Sequence, residues 1–133
     1  SCTGGEIASR LTKIPGSSEY FLGGITAYNS YAKKEILGID EQLIKTHSVV
    51  SKEVSKEMAL KVREKFKSTY GVSTTGTAGP TLGDSKEKIG TVYISISKND
   101  STITEKYNFG NHRERIILKT VNKVFEMLIK VIQ

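Results

Sequence analysis

Thr91-Val92-Tyr93-Ile94-Ser95-Ile96-Ser97 alternates apolar and polar side chains, and after Lys98-Asn99-Asp100 a second alternating run extends from Ser101 to Phe109. A period of two places successive side chains on opposite faces of a pleated strand, and the polar Lys-Asn-Asp break supplies the turn between two such strands. These residues predict an antiparallel hairpin over 91–97 and 101–109. Immediately after it, residues 111–132 carry Ile117, Val121, Val124, Leu128 and Ile132 on one helical face, the pattern of a long helix packed on a sheet.

Further back, residues 71–75 read as a short strand that runs into a loop over 76–89 containing Gly76, Gly79, Pro80 and Gly83. A loop of that length inside a small domain points to function. Ser51 suits the N-cap of an amphipathic helix whose Val54, Met58, Val62 and Phe66 recur every four residues, and Asp40 suits the cap of another helix through Thr46. Residues 30–37 read as a short helix stopped by Gly38. Residues 21–28, rich in aromatic and β-branched types around Gly23-Gly24, read as a bulged strand. Residues 6–13, with Ile7, Ala8 and Leu11, read as the first helix. Helices interleaved with strands and closed by a hairpin and a helix define one α/β domain over 1–133, expected as a three-layer α/β/α sandwich around a central mixed sheet.

The composition bounds what such a domain can be. With 133 residues, 37% apolar and 26% charged, the chain is neither disordered nor fibrous. No apolar run approaches the roughly 20 residues of a membrane span. One cysteine, Cys2, allows no internal disulfide, and His47 and His112 lack metal-ligand spacing, so a reduced cytoplasmic protein without metal or cofactor is expected. The net charge of +6 suits an anionic ligand. Lysines alternate with acids, as in Lys61-Val62-Arg63-Glu64-Lys65, which is the pattern of a solvated helix face and not of a nucleic-acid stripe.

Four hydroxyl-rich segments can carry chemistry: Ser1-Cys2-Thr3-Gly4-Gly5, Pro15-Gly16-Ser17-Ser18, Tyr28-Asn29-Ser30 and Thr74-Thr75-Gly76-Thr77-Ala78-Gly79-Pro80. A helix cap and a turn account for the first two equally well. No Gly-Lys-Ser/Thr follows for a Walker loop. A nucleophilic serine needs a base, and neither histidine has a Gly-x-Ser-x-Gly elbow to serve. A lysine can substitute if burial lowers its pKa, because the neutral amine accepts the serine proton. Lys33, a helical turn beyond Tyr28 and next to Ala32, is placed to point back to the turn holding Ser18, whereas Lys34 reads as a solvated charge. Arg113, near the start of the last helix, adds its charge to the free amides there. An N-terminal nucleophile at Ser1 or Cys2 is a further option.

Ser-Cys-Thr-Gly-Gly, Pro-Gly-Ser-Ser-x-Tyr-Phe-x-Gly-Gly, Tyr28 with Ala32-Lys33, Leu37-Gly38-Ile39, Val50-Ser51-x-Glu53-Val54, Thr75-Gly76-x-Ala78-Gly79-Pro80 and Gly90-Thr91-Val92-Tyr93-Ile94 occur in one order over nearly the whole chain. Together they resemble the C-terminal domain family of the competence/damage-inducible protein CinA. The resemblance implies a metal-free serine/lysine amidohydrolase that converts nicotinamide mononucleotide and water to nicotinate mononucleotide and ammonia in pyridine-nucleotide salvage. It implies Ser18 as nucleophile and Lys33 as general base, with Tyr28 and Ser1 lining the site and relaying the proton. Thr75 would stand near the reacting amide and Arg113 near the phosphate, with Thr3, Gly4, Gly76, Ala78 and Gly79 of the same motifs around the substrate. The resemblance also implies an upstream helix and strand that these residues do not include. Two departures are visible: Tyr28-Asn29-Ser30 replaces Tyr-Ser-Asn, and Thr81-Leu82-Gly83-Asp84 replaces the usual Asp-Gly-Gly. The competing expectation is a nucleotide-binding sensor module without catalysis, linked to competence or DNA damage. A homo-oligomer is expected from exposed strand edges and the amphipathic last helix.

Overall fold

The computed structural model describes residues 1–133. Helix α1 spans Glu6–Thr12, α2 Glu41–His47, α3 Lys52–Phe66 and α4 Arg113–Ile132; strands β1, β2 and β3 span Tyr70–Gly76, Thr91–Lys98 and Ser101–Asn108. The capping signals act as read: the Asp40 carboxylate accepts from Gln42 N at 2.8 Å, and Ser51 Oγ accepts from Val54 N at 3.2 Å. Each satisfies an amide that the first helical turn leaves without a partner.

The strands form one antiparallel sheet in the order β1-β2-β3, with Thr75 opposite Tyr93 and Tyr93 opposite Lys106. The α/β layering is as expected, but every pairing within these residues is antiparallel, so the sheet they build is not mixed. Residues 21–28 join no strand. Gly23, at φ +153°, passes so close to the Phe66 ring that a Cβ would lie 2.6 Å from it. Ile25 and Ala27 of this stretch instead pack with Leu37, Ile39, Val54 and Met58. Their β-forming composition serves burial against a helix rather than a ladder.

The two faces of β2 set the layers. Val92, Ile94 and Ile96 are fully buried and face Ile116, Val124 and Met127 of α4. The opposite face is small and polar, and α3 lies directly on it. Ser55 Oγ of α3 is 2.7 Å from Ser95 Oγ, which is itself 2.7 Å from Thr104 Oγ1, while Ser73 Oγ donates to Ser55 O at 2.6 Å. The hydroxyls partner one another, so burial leaves no side-chain donor or acceptor orphaned. This approach is possible because position 71 is glycine: a Cβ there would lie 2.2 Å from Ala59 O and 2.6 Å from Arg63 Cβ. Gly71→Ala therefore forces α3 off the sheet and is expected to cost about 1–3 kcal/mol in urea unfolding. Gly24→Ala, whose Cβ would meet only Phe21 at an ordinary 3.9 Å, serves as the near-neutral control.

The outer edge of β1 is unpaired. Beside it runs an apolar trough of about 500 Å³ bordered by Ile7, Leu11, Phe21, Phe66 and Leu128. At the other end of β1, the strand terminus, the loop over 77–90, the start of α4 and the turn around Lys33 converge.

Candidate active site

That convergence encloses a cavity of about 300 Å³ lined by Ser1, Cys2, Tyr28, Lys33, Thr75 and Arg113, with residues 76–79 and 81–85 as a further wall. The expected helix over 30–37 is wound as a π-helical turn, Ala32–Ile36, in which Leu37 N donates to Ala32 O at 3.2 Å, five residues back. A π-turn inserts an extra residue into the helical ladder, and such turns recur at functional sites. Here it separates two neighbouring lysines. Lys34 faces solvent and pairs with Glu35 at 3.7 Å and Glu41 at 3.4 Å.

Lys33 is only 2% exposed. Its Nζ donates to Ala27 O at 2.8 Å and to Tyr28 O at 3.4 Å and has no carboxylate within ion-pair distance. Burial pulls its pKa from 10.5 down to about 8, although Cys2 and Asp84 favour the charged form. A lysine held by carbonyls and not by a carboxylate keeps a usable neutral fraction near neutral pH.

Around it, Thr75 is buried and its Oγ1 donates to Val49 O at 2.8 Å, so the hydroxyl presents lone pairs and not its proton to the cavity. Arg113 opens α4, where His112 Nδ1 accepts from Arg115 N at 3.4 Å as the cap. The arginine fork spans two walls: Nη1 donates to Gly79 O at 2.5 Å and Nη2 to Tyr28 Oη at 3.0 Å. Gly76, Ala78 and Gly79 line the same cavity. Ser1 is tied to β1 through its nitrogen, which donates to Thr74 O.

Three of the residues singled out from sequence stand elsewhere. Thr3 and Gly4 line the trough along β1 rather than the cavity, and Thr3 Oγ1 lies 3.2 Å from Thr74 Oγ1. Ser18 sits in the short 3₁₀ turn Ser17–Glu19, is exposed, and forms no hydrogen bond with Lys33. Its neighbour Ser17 is the buried one. Cys2 and Ser30, from two of the hydroxyl-rich segments, and Asp84, from the departing stretch Thr81-Leu82-Gly83-Asp84, also line the cavity, although the resemblance gave them no role. Asp84 is its only carboxylate, and its position in the glycine-rich loop was the available signal. The structure contains no group of three or more His, Cys, Asp or Glu able to hold a metal ion, and no helix is long and apolar enough to cross a membrane.

Known proteins share this fold. A CinA-like protein of Flavobacterium psychrophilum is 46% identical over 130 residues, which is 98% of this chain and 31% of that protein. The chain thus spans about a third of the length of the curated relatives it matches. The competence/damage inducible protein CihA of Agrobacterium tumefaciens superposes with a TM-score of 0.94 at 32% identity, covering 100% of this chain and 82% of that one. A competence or damage-inducible protein of Enterobacter asburiae gives 0.95 at 26% identity, covering 100% of this chain and 84% of that one. The profile described as the CinA C-terminal domain matches residues 1–132. With the sequence, the fold and the order of the motifs in agreement, the chain belongs to the CinA C-terminal domain family.

Proposed function

We propose that the domain is an amidohydrolase that converts nicotinamide mononucleotide and water to nicotinate mononucleotide and ammonia. The observation that carries this reading is Lys33: buried, free of any carboxylate partner, and lining a cavity with Arg113 at its wall. Ser18 attacks the carboxamide carbon while Lys33 Nζ takes the hydroxyl proton. Collapse of the tetrahedral adduct breaks the C–N bond, and Lys33 returns the proton to the departing ammonia. Water then cleaves the serine ester, releasing the carboxylate. Ser18 is outside the cavity wall, so attack requires its turn to close toward Lys33. Arg113 and the loop amides supply donors for the phosphate.

The expected result is equimolar ammonia and nicotinate mononucleotide from nicotinamide mononucleotide, with none from nicotinamide riboside, which lacks only the phosphate, at the same concentration. One observation favours a second reading, a nucleotide sensor: Ser18 stands exposed and unbonded to Lys33. A folded protein that binds the nucleotide in calorimetry but releases no ammonia would establish that reading and overturn the amidase.

A further inference from the structure

We propose that Glu87, Tyr93 and Lys106, none of which lines the cavity, form a latch that fixes the glycine-rich loop over it and thereby positions the substrate. The loop leaves β1 and enters β2 through a closed base, with Thr77 N donating to Thr91 O at 2.9 Å and Gly90 N donating to Thr77 O at 2.7 Å. Its tip supplies residues 81–85 to the cavity wall. On its inner side the loop is held by Arg113 on Gly79 O and by Ser48 Oγ, which donates to Asp84 O at 3.4 Å. The returning arm is far better anchored. Ser85 Oγ accepts from Thr77 Oγ1 at 2.5 Å and from Glu87 N at 3.0 Å, which folds the arm against the base. Glu87 Oε1 then accepts from Tyr93 Oη at 2.9 Å, and Glu87 Oε2 faces Lys106 Nζ at 3.5 Å. The Lys106 ammonium also lies 5.6 Å from the centre of the Tyr93 ring.

The register gives this cluster its meaning. Thr75 is opposite Tyr93, and Tyr93 is opposite Lys106, so the three form one row across the sheet. Thr75 is the end of that row inside the cavity. Glu87 bolts the loop to the other two members, so the distance between the loop wall and Thr75 is set by the sheet itself. An exposed ion pair adds little to global stability. What it adds here is placement of a wall that would otherwise sample many positions.

The kinetic test rests on the amidase reading; the exchange test does not. In Tyr93→Phe and Glu87→Ala the KM for nicotinamide mononucleotide should rise about five-fold or more with kcat within two-fold, because the loop binds ground state and transition state alike. Glu87→Gln, which keeps an acceptor for Tyr93 and loses the ion pair, should fall between them and the unaltered protein. A merely structural role would lower apparent kcat through loss of folded protein and leave KM alone, and that pattern overturns the latch. Hydrogen exchange gives the independent readout: amides of 81–86 should exchange at least about five-fold faster in both variants while those of α3 and β2 keep their protection. Unchanged exchange over 81–86 overturns the latch even if the protein turns over no nucleotide.

Discussion

Lys33→Met is expected to lower turnover of nicotinamide mononucleotide by about a thousandfold while the folded protein retains the nucleotide, because a positioned general base contributes roughly 10²–10⁴ in rate. Methionine keeps the volume of the aliphatic stem, so the effect separates chemistry from packing. Two pH dependences accompany it. In the unaltered protein kcat/KM should rise with pH through about 8, where Lys33 loses its proton, and level off above. Stability moves in the same direction. The folded-state pKa of about 8 lies below the ordinary 10.5, so below pH 8 folding must keep a charge in a poorly hydrated place. Between these values the unfolded chain binds more protons than the folded one, and stability therefore rises with pH across that window. The difference amounts to on the order of 3 kcal/mol between pH 7 and pH 10.5, and Lys33→Met should abolish it. Urea unfolding of both proteins at the two pH values measures this; a rise of equal size in the variant would show that Lys33 is not its source.

Ser18→Ala should abolish ammonia release and leave nucleotide affinity within about two-fold, since a nucleophile contributes to the transition state and little to ground-state binding. The comparison that matters is with Ser30→Ala and Cys2→Ala, because both of those residues line the Lys33 cavity and Ser18 does not. Full loss in Ser18→Ala with activity retained in the other two places the attack on the 3₁₀ turn and requires that turn to swing inward during turnover. Retained activity in Ser18→Ala, with loss in either of the others, moves the nucleophile to the cavity wall. Hydroxylamine added to the reaction should divert the acyl group to a hydroxamate only where a covalent intermediate forms.

The parts legible in the sequence are those in which a local pattern and the tertiary environment agree. The Ile94-Ser95-Ile96 alternation was readable because β2 meets an apolar helix on one face and a serine-lined helix on the other. Ser51 and Asp40 were readable as caps because capping is settled within three residues. Residues 21–28 misled because β-branched and aromatic residues suit any extended, half-buried path, and only the strand order shows that this one pairs with no strand. The buried Lys33 and solvated Lys34 were told apart by their spacing from Tyr28, but the π-turn that carries them is not a feature helical spacing anticipates. The relation between Ser18 and Lys33 is wholly tertiary: motifs name both residues, but the distance between them depends on how the turn meets the rest of the domain. Glu87 and Lys106 resemble solvated charges in sequence, and only the strand register brings them together on Tyr93.

The unpaired edge of β1 makes this stretch of polypeptide a receiver. Apart from Thr74 O, which accepts from the Ser1 nitrogen, its outer backbone groups lie beside an apolar trough, so an extended segment seated there would contribute both ladder bonds and buried area. Any segment that bound that edge in the folded state and not in the unfolded one would raise the melting temperature with its own concentration.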